Sequence, residues 1–119
     1  MIYPIQAVAK PRQTKRDKFL DPPRPCVRKY LNFKEEIERY SVVVPENGAH
    51  VIFRIAMPKG WTESQKQDIN GTPHQRTPDV DNLLKGLLDA IYTDDACVWD
   101  IRVSKFWAFD HSIEIIKES

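Results

Sequence analysis

At 119 residues, 41% hydrophobic and 29% charged, the chain has the size of one ordinary domain and the composition of a globular rather than a disordered protein. No apolar run approaches the roughly 20 residues that span a bilayer, and Met1–Ile5 lacks the basic-then-apolar pattern of a secretory signal, so a cytoplasmic protein without membrane association is expected. The net charge of +1 conceals a division. Residues 1–34 carry nine Lys/Arg against Asp17 and Asp21, net +7, and residues 35–119 carry nine against fifteen acidic residues, net −6. Such asymmetry suits a polyanion at one half and a cation at the other.

In chain order, Ile2–Val8 is short, apolar and β-compatible, with Pro4 placing it at a sheet edge. Residues 10–29 are basic and hold four prolines, which reads as an extended arm; Lys10, Arg12, Lys15 and Arg16 are its candidate contacts to a polyanion. Leu31–Tyr40 reads as a helix with Leu31, Ile37 and Tyr40 on one face. Pro45–Gly48 is a turn, and His50–Met57 alternates as a strand. Thr62 is placed to cap a short helix over 63–69, which Asn70-Gly71 ends. After a polar loop containing His74 and Arg76, Asp79–Tyr92 is the strongest helix, with Asp79 as N-cap and Leu84, Leu87, Leu88 and Ile91 apolar. Val98–Phe109 and Ile113–Ile116 read as strands joined by an Asp110-His111-Ser112 hairpin. The order β-loop-α-β-α-α-β-β predicts a single α+β domain over residues 1–119, with helices on one face of a small, mostly antiparallel sheet. Cys26 and Cys97 are read as reduced thiols, Cys97 buried in a strand, and no Cys/His zinc spacing is present.

Six aspartates (Asp79, Asp81, Asp89, Asp94, Asp95 and Asp100) lie within 22 residues, with Lys85 as the one basic residue among them. Carboxylates so crowded repel one another unless a cation lies between them, and Mg²⁺ commonly takes one or two carboxylates with waters and phosphate oxygens. Asp79 and Asp81 converge at the helix N-terminus, and Lys85 follows Asp81 by one turn on the same face. Asp94 and Asp95 lie beyond the far end of a helix about 20 Å long, so another element has to carry them back. Singly, each aspartate has an ordinary explanation: a cap, a surface ion pair worth little, a solvated side chain. Together, nothing neutralises them. Asp79-Val80-Asp81-Asn82 resembles the start of an EF-hand, but Leu84 and Ala90 stand where that loop needs Gly and Glu.

Pro78-Asp79-Val80-Asp81-Asn82-Leu83-Leu84-Lys85, then Leu88-Asp89-Ala90-Ile91, then Asp94-Asp95 resembles the signature of RusA-like Holliday junction resolvases, and Ala96, Val98, Asp100, Arg102, Val103 and Lys105 continue the likeness. The resemblance implies Mg²⁺-dependent cleavage of four-way DNA junctions by a homodimer, with Mn²⁺ able to substitute, in a bacterial or phage setting. It implies Asp79, Asp81 and Asp95 as catalytic, metal-holding carboxylates and Lys85 as the catalytic lysine, with Asp94 the weaker member of its pair. Arg76 joins the arm as a DNA contact. Trp99, Phe106 and Trp107 are read as strand core, with base stacking the alternative. A binding module that keeps the fold around a structural ion, and a hydrolase of small phosphate compounds, are the competing readings. The second lacks a glycine-rich phosphate loop, since the four glycines are scattered.

Overall fold

The computed structural model describes residues 1–11 and 24–118. Its elements are β1 (Ile2–Tyr3), α1 (Pro25–Arg39), β2 (Ala49–Ala56), α2 (Glu63–Ile69), α3 (Val80–Ile91), β3 (Ile101–Ala108) and β4 (Ser112–Lys117). The expected element order holds, and the fold is α+β.

The four strands form one sheet in the order β1-β4-β2-β3. Two of the three pairings are antiparallel, β1 with β4 and β4 with β2. The third, β2 with β3, is parallel and in register from Ala49↔Ile101 to Ala56↔Ala108. A parallel pair needs a long crossover, and the segment holding α2 and α3 supplies it. The expected hairpin between the last two strands is therefore corrected. β2 is the most continuously apolar strand and takes a central position, with Val51 and Phe53 fully buried. The Asp110-His111-Ser112 link instead crosses the end of β2, where Met57 N–H donates to Ala108 O (2.9 Å) and Ala56 N–H donates to His111 Nδ1 (3.2 Å).

Inward residues of the sheet (Ala49, Val51, Phe53, Ile113, Ile115) form one cluster with Tyr30, Phe33 and Ile37 of α1 and Leu83, Leu87 and Leu88 of α3. Alternation on the strands and a three-to-four residue spacing on the helices create these matching faces. Helix α1 starts six residues earlier than Leu31. Pro25 occupies the first helical turn, where its missing N–H costs nothing, and Val27, Tyr30, Phe33 and Ile37 are the buried stripe. Leu31 and Tyr40, expected on the inner face, are exposed. Residues 25–29 thus belong to a helix, not to the extended arm. β1 ends at Tyr3, directly before Pro4, rather than running to Val8. Thr62 caps α2 reciprocally: Gln65 N–H donates to Thr62 Oγ1 (3.2 Å) and Thr62 N–H donates to Gln65 Oε1 (3.0 Å). Gly71 follows with a φ of +83°, a conformation that favours glycine. Among the described residues no helix is long and apolar enough to cross a membrane.

Candidate active site

Helix α3 presents its N-terminus beside β3. Asp79 stands at the N-cap with extended backbone, and its carbonyl accepts the first helical hydrogen bond, from Leu83 N–H (3.1 Å). Its carboxylate makes no capping bond. The commonest structural use of an aspartate at this position is thus absent, and the group is left for other work. Asp81 lies in the first helical turn. Both line an open pocket of about 660 Å³, together with His74, Arg76, Ser104 and Lys105.

The opposite wall is the loop 71–78, pinned to β3 by a short run of backbone bonds. Gly71 N–H donates to Trp107 O (2.9 Å), Trp107 N–H to Thr72 O (3.0 Å) and His74 N–H to Lys105 O (3.0 Å). Lys105 completes the attachment. Its ammonium donates to Arg76 O (2.6 Å) and Pro78 O (2.7 Å), which fixes the chain immediately before Asp79. Burial draws this ammonium below its ordinary pKa, against the pull of the Asp79 carboxylate. Lysine on the inward register of a strand is a polar residue at an otherwise apolar position, a signal that the alternation of Ile101, Val103, Lys105 and Trp107 carried unused.

His74 is buried against Trp107, with ring centroids 4.2 Å apart, and among the described residues its Nδ1 has no hydrogen-bond partner. Burial is the largest cause lowering its pKa, and the charges of Lys105 and Arg76 add to it, so the ring is neutral at pH 7. The Arg76 guanidinium lies 5.7 Å from the Trp61 ring and 5.9 Å from that of Trp107, within cation–π range. Stacking of this kind leaves the N–H edge of the guanidinium open to an anion. Trp107 is therefore core, as expected. Trp99 lies outside β3, before its first residue, and is 73% exposed. Cys97 is exposed in a single 3₁₀ turn, Asp95–Cys97, and not buried in a strand. Asp94 caps that turn by accepting from Ala96 N–H (3.0 Å).

Lys85 does not pair with Asp81. Its ammonium instead meets Asp95 (2.9 Å) and Asp89 (3.2 Å), and these hydrogen bonds, Asp95 first, raise its pKa. The segment after α3 folds back far enough for Asp95 to reach the middle of the helix. Asp95 is not among the residues lining the pocket of Asp79 and Asp81. Among the described residues no group of three or more His, Cys, Asp or Glu is close enough to hold a metal ion. The donor set fits a magnesium site of two carboxylates completed by waters and phosphate oxygens, rather than a ready-made cage of three. Lys10 is exposed and paired with Asp89 (2.7 Å). Arg12, Lys15 and Arg16 lie outside the described residues.

The model of the family described as endodeoxyribonuclease RusA matches residues 3–116. The chain belongs to the RusA family. A protein of Bacillus subtilis (strain 168), named only as the uncharacterized protein YqaN, is 40% identical over 68 residues, covering 50% of this chain. The match spans 48% of that relative's length, so the chain covers about half of the curated relative it matches. The family match takes in both walls of the pocket, the loop 71–78 and the start of α3.

Proposed function

We propose that this RusA-family chain is a magnesium-dependent endodeoxyribonuclease that resolves four-way DNA junctions and related branched DNA by paired nicks. The observation that carries the reading is the pair Asp79 and Asp81. These two carboxylates lack cap bonds and ion pairs among the described residues, and they share a pocket with the cationic groups of Arg76 and Lys105.

Asp79 and Asp81 would hold the cation, and a divalent ion there supplies Lewis acidity toward a phosphodiester and its attacking water. Asp95 stands in this reading as the third carboxylate, held in this structure by Lys85. The protein's own groups do the rest. Arg76, braced by two indoles, offers its guanidinium to a neighbouring phosphate. Lys105 keeps the loop before Asp79 in place through two carbonyls. Lys85, exposed and held by Asp95 and Asp89 in this structure, stands in this reading as the group that stabilises negative charge on the phosphate or on the leaving 3′ or 5′ oxygen. Without a cation the two carboxylates repel DNA, and the basic residues at 10–29 offset this by holding phosphates away from the scissile bond.

The test is incubation of the protein with labelled four-way junction and with linear duplex of the same sequence, in Mg²⁺ and in chelator. Nicking of the junction in Mg²⁺ alone supports the proposal. Tight junction binding with no nicking in Mg²⁺ or Mn²⁺ would leave a binding module in its place.

A further inference from the structure

Asp89 lies on α3 outside the pocket of Asp79 and Asp81, and yet among the described residues it is the α3 carboxylate with two ion-pair partners. Its side chain is only 17% exposed, and its two oxygens are taken by two different lysines. Oδ1 meets Lys85 Nζ at 3.2 Å and Oδ2 meets Lys10 Nζ at 2.7 Å. These partners come from separate parts of the chain. Lys85 is one helical turn before Asp89. Lys10 is 79 residues away, in the N-terminal segment.

The Lys10 contact does not depend on a flexible side chain alone. The backbone of residues 8–10 lies directly on α3 at Gly86. A Cβ on Gly86 would come within 2.5 Å of Val8 O and 3.1 Å of Lys10 N. Tyr30 of α1 closes the same junction by donating to Gly86 O (2.8 Å). Burial first, and the Asp89 charge next, push the Tyr30 phenol up to about 12, so it remains a donor. Gly86 therefore fixes the path of residues 8–10, and Asp89, three residues on, meets the lysine that this path delivers. Lys34 lines the groove beside Lys10 and Asp89, so the surface is cationic overall.

We propose that Asp89 is a positioning residue: by pairing with Lys85 and Lys10 at once, it aims the catalytic lysine and ties the root of the DNA-binding arm to the helix that carries the active site. The proposal rests on the reading of Lys85 as catalytic. The consequence is that substrate held by the arm and the lysine acting at the scissile phosphate are registered to one carboxylate. As a source of stability the exposed pairs are worth little. As a source of geometry they matter more, because a small misplacement of a reacting group has a large effect on rate.

Two measurements on wild type, Asp89→Asn and Asp89→Glu test this. The first is trace acetylation of lysines in the metal-free protein, read by mass spectrometry with exposed Lys59 as internal reference. The second is single-turnover cleavage of a four-way junction in Mg²⁺, with thermal melting to show that each variant is folded. In Asp89→Asn, acetylation of Lys85 and Lys10 should rise together several-fold against Lys59, and the cleavage rate should fall about tenfold with junction affinity changed far less. Asp89→Glu should restore most of both. Unchanged Lys85 acetylation in folded Asp89→Asn, or cleavage at the wild-type rate, would overturn the proposal. If wild type cleaves nothing, the nuclease reading fails separately. Acetylation then decides the pairing by itself: a joint rise supports the hub, and no rise removes it.

Discussion

His74 and Lys105 show how single side chains set the site's shape and its sensitivity to pH. The His74 pKa is lowered in the folded chain, so the folded state binds this proton less readily than the unfolded state. Its contribution to stability is full above the ordinary histidine value near 6.5 and declines as pH falls from there toward the lowered folded value. His111 shifts the same way, chiefly through burial, so it adds to the same slope. We expect the melting temperature to drop between pH 7 and pH 5, and His74→Phe, which keeps the contact with Trp107, to make that drop shallower. An identical slope in the variant would remove His74 from the account. Lys105→Met keeps an unbranched side chain of nearly the same length but loses both carbonyl contacts. Leaving Arg76 O and Pro78 O without this donor should cost about 1–3 kcal/mol in denaturant titration and should weaken cleavage further, because Asp79 follows directly. A variant as stable and as active as wild type would show that the loop is held otherwise.

Helix α3 and the strap against it carry the next level of order. Alanine is normally the better helix former, by about 1 kcal/mol over glycine. At position 86 a methyl group would meet Val8 O and Lys10 N, both backbone atoms that cannot swing away. Gly86→Ala should therefore destabilise the fold by about 1–3 kcal/mol, the range for overpacked sites, measured by urea unfolding; stabilisation would mean that the strap moves freely. Much at this scale was legible in the sequence. The Thr62 cap and the alternation of β2 are local signals that the structure reproduces, and the α3 stripe holds at Leu87 and Leu88, with Leu83 rather than Leu84 as its third buried leucine. The α1 boundary was not legible as read, because a cluster of prolines suggests an extended chain, while Pro25 is in fact compatible with a first helical turn and Val27 begins the buried stripe. The place of β3 was not legible either. Periodicity marks a strand but does not state its neighbour, and it was the demand of β2 for partners on both edges that separated β3 from β4. In the site, Asp79, Asp81 and Lys85 stood out by their spacing, whereas the partnership of Lys10 with Asp89 joins residues 79 apart and has no local signature.

The whole molecule divides its charge between a basic N-terminal third and an acidic remainder, and that division frames how DNA would be held. Replacing Arg12, Lys15 and Arg16 by Ala should weaken binding to every DNA and reduce its salt dependence, with the slope falling by roughly one per lost phosphate contact; an unchanged slope would show that these residues do not touch phosphate. A four-way junction has approximate two-fold symmetry, and one chain offers, among the described residues, one pocket that holds both Asp79 and Asp81, so resolution by paired nicks calls for a two-fold dimer. Sedimentation at micromolar concentration without DNA should give twice the mass of 13.9 kDa. A monomer mass, with paired nicking independent of protein concentration, would count against a preformed dimer. The central claim, that Asp79 and Asp81 form a phosphodiester-cleaving site, is tested most directly by comparing wild type with Asp81→Asn on a labelled four-way junction in Mg²⁺ under single-turnover conditions. The account predicts nicks close to the crossover with wild type and none above background with Asp81→Asn. That variant should still bind the junction, as tightly or more so, because a repulsive charge is gone. Cleavage by Asp81→Asn at the wild-type rate would contradict the account.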